Sequence, residues 1–249
     1  MNEYVNPERI EFVVTMGCTG RCRHCSEGSH DFSGDHIDGS AAAIAIAEVC
    51  RNYDIRSLMT FGGEPLLYPE TVCAIHSAAR DCGIPQRDII TNGYFSKNES
   101  RIRAVAEMLA DSGVNCVLLS VDAFHQETIP IEPVMLFAEA VRDKGVHIEL
   151  SPAWLKSPEN DNPYNNETHR LLKKFTDKGF GIGGGNIIFP QGNAKVLLAE
   201  YFDEEHTIAN PYEDDPRNIR TLCFEPDGSV LGGNIYDTDI IGIIKNYKP

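Results

Sequence analysis

The stretch Ile10-Glu11-Phe12-Val13-Val14-Thr15-Met16-Gly17-Cys18-Thr19-Gly20-Arg21-Cys22-Arg23-His24-Cys25 sets an apolar, β-branched run against a loop with three cysteines. The run reads as a buried strand. Three thiols at its carboxyl end need a chemical reason. Outward from this stretch the punctuation repeats. Strand-like runs recur at 55–61, 88–91, 114–121, 146–151 and 185–189, with helical stretches at 40–51, 70–82, 99–112, 133–144 and 166–178 between them. Gly83, Gly113, Gly145 and Gly179 stand where helix C-termini favour a left-handed residue. This alternation predicts an α/β fold with a parallel sheet and right-handed crossovers, doubly wound or a closed or partly closed β/α barrel. In each, chemistry belongs at the carboxyl ends of the strands.

The 249 residues suit one large α/β domain or two small ones. Hydrophobic residues at 42% and charged residues at 24% exclude disorder as the main state. Lys+Arg 22 against Asp+Glu 37 gives −15, so nucleic acid and anionic membranes are not expected partners. No apolar run approaches the roughly 20 residues that span a bilayer. The first residues carry neither the basic region nor the apolar core of a secretory signal, so the expected location is cytoplasmic.

In a reducing compartment eight cysteines point to metal or redox chemistry. Cys50, Cys73, Cys82, Cys116 and Cys223 stand alone and read as small buried hydrophobes. Cys18, Cys22 and Cys25 can converge on one soft metal centre. Completed by His24 or His30 they would hold zinc. Unaided they would hold an iron–sulfur cluster with one iron open.

Beyond Pro190 the alternation stops. A short helix is expected at 194–202. The stretch 201–215 carries Asp203, Glu204, Glu205, Glu213, Asp214 and Asp215 with no Lys or Arg, and reads as a solvated acidic loop. Glu225-Pro226-Asp227-Gly228 marks a hairpin turn. The expected division is 1–193 as the main barrel and 194–249 as the acidic loop with a small β extension packed on it.

The second run ends Met59-Thr60-Phe61-Gly62-Gly63-Glu64-Pro65, with paired glycines at a strand carboxyl end. Glycines there permit close backbone approach to a ligand. Glu64 and the Gly62 and Gly63 carbonyls offer acceptors to an ammonium group. The cysteine triad followed by Gly-Gly-Glu-Pro resembles the radical S-adenosylmethionine (SAM) superfamily, closest to its peptide-modifying branch.

That resemblance implies a partial (β/α)6 barrel with a short C-terminal β-hairpin appendage. It implies one [4Fe-4S] cluster on Cys18, Cys22 and Cys25, with SAM on the fourth iron. Reductive cleavage of SAM would yield a 5′-deoxyadenosyl radical that takes hydrogen from a peptide or protein-like substrate. The electron donor would be of flavodoxin or ferredoxin type. Gly62, Gly63 and Glu64 would bind the SAM amino group. His24 would pack near the adenine or face solvent, and Asn92 would contact SAM or close a turn. Ser120 and Asp122 would reach SAM, with helix capping of the following loop as the other role of this segment. Ser151 would bond the ribose.

On the same face of that strand, Glu149 could contact substrate, unless the face turns toward the helices. Gln191-Gly192-Asn193 resembles a backbone segment that meets the adenine. Leu222-Cys223-Phe224 resembles the start of an extension bearing auxiliary clusters. Cys223 is the last cysteine, so no auxiliary cluster is expected. Alternative substrates are a partner that receives a glycyl radical, or a small molecule.

Overall fold

The computed structural model describes residues 2–28, 34–202, 210 and 212–249. His30 and the acidic residues Asp203, Glu204 and Glu205 lie outside them. The strands are β1 (Val5–Val13), β2 (Ser57–Phe61), β3 (Gln86–Thr91), β4 (Cys116–Leu119), β5 (His147–Leu150), β6 (Ala153–Trp154), β7 (Gly181–Ile182), β8 (Asn186–Ile187), β9 (Ile219–Phe224), β10 (Ser229–Val230) and β11 (Gly233–Asn234). The α-helices are α1 (Gly39–Asn52), α2 (Pro69–Asp81), α3 (Glu99–Ser112), α4 (Ala123–Gln126), α5 (Ile131–Asp143), α6 (Pro163–Thr176), α7 (Gly192–Leu197) and α8 (Ile240–Asn246).

Seven strands form one parallel sheet in the order β7-β5-β4-β3-β2-β1-β9. Between consecutive strands from β1 to β5, the crossovers carry α1, α2, α3 and α5. Their starts are chemically marked. Asp38 and Asn98 accept backbone N–H groups at the first turns of α1 and α3, as N-caps do.

Side-chain alternation splits the sheet into two faces. Ile10, Phe12, Leu58, Ile89, Val117, Leu119, Ile148 and Leu150 share one buried cluster with Val49, Ile75, Leu109 and Val141 of the helices. The other face carries Glu11, Met59, Asp88, Cys116 and Glu149, and the crossover helices do not cover it. Glu149 therefore points away from the helix layer.

Two expectations change in detail. The sixth strand of the sheet is β7, not the 185–189 run; β8, within that run, pairs instead with β6 in a separate two-stranded sheet. The 221–224 run lies in β9, which extends the main sheet along β1. The Pro226–Gly228 turn does form, closed by the Glu225 N–H on the Ser229 carbonyl at 2.9 Å, but β10 pairs with β11. Among the described residues no helix is long and apolar enough to cross a membrane.

Candidate active site at the cysteine loop

The cysteine loop leaves β1 at the carboxyl edge of the sheet, and Gly62-Gly63-Glu64 leaves β2 beside it. The two segments are laced together. The Gly63 N–H donates to the Thr15 carbonyl and the Glu64 N–H to the Gly17 carbonyl, both at 2.8 Å. The approach is so close that a Cβ on Gly62 would lie 2.6 Å from Thr15 O. One on Gly63 would lie 2.2 Å from Gly17 O. Gly62 also has φ +130°, where L side chains are strained. Both glycines thus hold the loop against β2. Among the described residues no donor takes their own carbonyls, which stay available to a ligand.

Glu64 is fully buried. Its Oε1 accepts from Leu66 N (2.9 Å) and Thr91 Oγ1 (2.7 Å), and Oε2 accepts from Asn92 N (2.9 Å). A carboxylate offers about four acceptor positions, so one remains. Burial pushes Glu64 up to about 7 against the pull of these donors. Asn92 also reaches the loop, its Nδ2 donating to Thr19 Oγ1 at 3.3 Å and lying 3.6 Å from Cys18 Sγ.

Two of the three thiols, Cys18 and Cys22, face Gly20. A Cβ there would stand 3.2 Å from Cys22 Sγ and 3.7 Å from Cys18 Sγ. The Gly20 N–H points at Cys18 Sγ at 3.3 Å. Burial pushes Cys18 up to about 11, and pushes Cys22 and Cys25 up as well. Such thiols stay protonated unless a metal centre supplies the missing positive charge. A thiolate-binding cluster fits this donor set.

Two further segments clamp the loop. Asn193, at the start of α7, donates its backbone N–H to Cys25 O (2.9 Å) and its Nδ2 to Cys22 O (3.2 Å). A Cβ on Gly192 would fall 2.3 Å from Ser26 O. On the opposite side His24 packs between Phe124 and His125, with ring centroids 5.0 and 4.8 Å away. Among the described residues its Nδ1 is covered and has no hydrogen-bond partner. Burial, then the His125 ring, lowers His24 to about 4. Cys22 Sγ and ring nitrogens of His24 and His125 lie within 4.8 Å of one another.

Asp122 is fully buried and accepts three hydrogen bonds. Oδ1 accepts from the His125 N–H (2.9 Å), capping α4, while Oδ2 takes His125 Nδ1 (2.8 Å) and the Ala153 N–H (3.1 Å). Burial alone would raise its carboxyl, but His125 beside it holds it well below the usual range. Ser120 and Ser151 follow the paired Leu119 and Leu150 at the same edge. His125 is a site residue that motif reading missed, because its contacts depend on the fold and a single histidine carries no pattern. Asn193 lay in the segment expected near the adenine, but its hold on the cysteine loop was not foreseen.

A match to the Radical SAM superfamily covers residues 12–190. The chain belongs to this superfamily, and it is an enzyme. Members bind a [4Fe-4S] cluster and SAM, and solved neighbours hold SAM. A probable GTP 3′,8-cyclase of Methanocaldococcus jannaschii is 27% identical over 148 residues, 57% of this chain and 47% of that protein. The chain thus spans about half that relative's length. A probable GTP 3′,8-cyclase of Saccharolobus islandicus is 23% identical over 203 residues, 79% of this chain and 62% of its own.

In fold, the chain resembles Streptococcus suis SuiB bound to precursor peptide SuiA (TM-score 0.61, 13% identity, 97% of this chain and 65% of that one). It also resembles anSMEcpe with bound AdoMet and Cp18Cys peptide (TM-score 0.60, 15% identity, 96% and 80%).

Proposed function

We propose that this chain holds one [4Fe-4S] cluster on Cys18, Cys22 and Cys25 and abstracts hydrogen from a peptide or protein-like substrate. With the cluster reduced by a flavodoxin- or ferredoxin-type donor, bound SAM supplies a 5′-deoxyadenosyl radical. The observation that carries this reading is the lacing of Gly62-Gly63-Glu64 to the cysteine loop. It puts two free carbonyls and the last acceptor position of Glu64 next to the thiols. An ammonium group needs such acceptors and a site that excludes water.

The other residues follow from their places. Ser120 and Ser151 line the same edge and are offered to the ribose. Asn92 and Asn193 fix the loop from two sides. His24 is held edge-on against His125 as a wall for the adenine. Asp122 spends three of its roughly four acceptor positions on His125 and Ala153, which orients His125 and α4, and keeps one for SAM. A reducing cytoplasm suits this oxidisable donor set.

A small-molecule reading is favoured by the GTP 3′,8-cyclase relatives. A nucleoside triphosphate would meet Glu11, Asp88 and Glu149 on the open face of the sheet, with Arg9 as the cation there. Like charges repel, so the peptide reading stands first.

Two measurements test it. Anaerobic reconstitution should give about four irons per chain and, with dithionite and SAM, 5′-deoxyadenosine. A colourless protein that forms none overturns the enzyme assignment. Deuterated peptides should pass deuterium into 5′-deoxyadenosine. Transfer from deuterated GTP and from no peptide overturns the peptide assignment.

A further inference from the structure

The open face of the sheet carries a polar constellation that the cysteine loop does not use. Cys223, Glu11, Met59, Asp88, Cys116 and His147 stand in one register row across β9, β1, β2, β3, β4 and β5. Glu149 lies one pleat further toward the carboxyl edge, between Leu118 and Gly181. Asp88 is four residues before Asn92, which touches the cysteine loop, so the row runs about 13 Å below that loop.

Charge on this face is not balanced. Arg9 pairs with Glu11, its Nε lying 2.5 Å from Oε1, and reaches Asp88 only through its charge. Asp88 is 3% exposed. Its Oδ2 accepts from Gln86 Nε2 at 2.5 Å, but among the described residues Oδ1 accepts nothing. A buried carboxylate oxygen without a donor is costly, and a cation is the partner that removes the cost.

Burial pushes the Asp88 carboxyl up against the pull of the Gln86 hydrogen bond and the Arg9 charge, and the negative charge of Glu149 adds to the push. Glu149 sits two strands away, about 10 Å across the sheet. Its Oε1 lies 3.0 Å from His147 Nε2, while Oε2 extends over Gly183, where a Cβ would approach to 2.8 Å. Glycine at 183 leaves that carboxylate room.

We propose that Asp88 and Glu149 form a subsite for a cationic group of the substrate, a protonated amine or a guanidinium. Asp88 Oδ1 supplies the buried acceptor, and Glu149 closes over the charge from the β5–β7 edge. The subsite names the chemistry of the peptide-like substrate proposed above and rests on that reading. Under it, a lysine or arginine side chain is drawn down the open face while the chain around it stays under the cysteine loop.

The test uses the reconstituted holoenzyme with SAM, titrated calorimetrically with capped tripeptides Gly-X-Gly, X being lysine, arginine, norleucine or glutamate. The lysine or the arginine peptide should bind at least tenfold more tightly than the norleucine peptide, and the comparison of those two identifies the cation. Asp88→Asn and Glu149→Gln should each erase most of that preference while keeping wild-type iron content. Equal or absent binding across the series overturns the subsite, as does a preference that survives both substitutions. If Asp88→Asn fails to retain iron, the partly exposed Glu149→Gln carries the test alone. Formation of 5′-deoxyadenosine by the wild type is read separately, so its absence overturns the enzyme assignment without deciding the binding contrast.

Discussion

Gly63 shows how one missing Cβ can decide a site. With Gly17 O only 2.2 Å from where that atom would be, Gly63→Ala must separate the two segments. Overpacking of this kind costs about 1–3 kcal/mol. The expected outcome is a lower denaturation midpoint together with iron loss, because the strained partner is the loop itself. Gly184→Ala, with nothing within 4 Å of the new atom, should stay within about 0.5 kcal/mol of wild type.

His76 makes a prediction of another kind. It is fully buried, with Nε2 3.0 Å from Thr60 Oγ1 and, among the described residues, no partner for Nδ1. Burial, then Arg87, lowers it from 6.5 to about 3. The folded state therefore keeps His76 neutral while the unfolded chain takes a proton below 6.5. Its stabilising contribution is whole above pH 6.5 and is lost as pH falls toward 3. The slope approaches about 1.4 kcal/mol per pH unit. Urea unfolding of wild type and His76→Gln between pH 7 and 5 should diverge in that sense, the wild type falling faster.

At the scale of elements, the strands that sequence announced are those built from β-branched runs, β1 to β5. The sixth was misplaced because β7 is Gly181–Ile182, two residues with no apolar pattern. The more strand-like 185–189 run is drawn to β6 instead. Asn186 N–H donates to Pro152 O at 2.9 Å, and Gly185 is needed because a Cβ would fall 2.3 Å from that oxygen. The place of β9 was hidden for a different reason. A turn signal is local, whereas its pairing with β1 joins segments about two hundred residues apart in the chain.

That pairing has a measurable anchor. Phe224 stacks on Phe12 with centroids 4.6 Å apart, and both are fully buried. Phe224→Ala should cost about 3–5 kcal/mol in anaerobic denaturation. A much smaller loss would mean that β9 is a loosely attached edge. Of the site itself, the three cysteines and Gly-Gly-Glu were legible because their spacing is a pattern. Asp122 was legible only as a position, since its capping of α4 and its hold on Ala153 depend on contacts across the fold.

For the whole molecule, charge and topology both bear on the expectation of a single cluster. Cys116 and Cys223 share one register row on the open face, yet β1, β2 and β3 lie between their strands. Both are pushed up to about 12, first by burial and then by nearby carboxylates, Asp88 for Cys116 and Glu11 for Cys223. Neither has a second thiol placed as Gly20 places Cys18 and Cys22. Auxiliary clusters need several thiolates at one point, and negative surroundings oppose both deprotonation and an anionic cluster. A variant carrying Cys116→Ser and Cys223→Ser should therefore keep about four irons per chain, whereas Cys22→Ala should lose nearly all of them. Iron analysis with the visible absorption of the anaerobic proteins reads both. Retention in Cys22→Ala, or loss in the double variant, would move the metal centre away from the loop after β1 and with it the order of events at the carboxyl edge of the sheet.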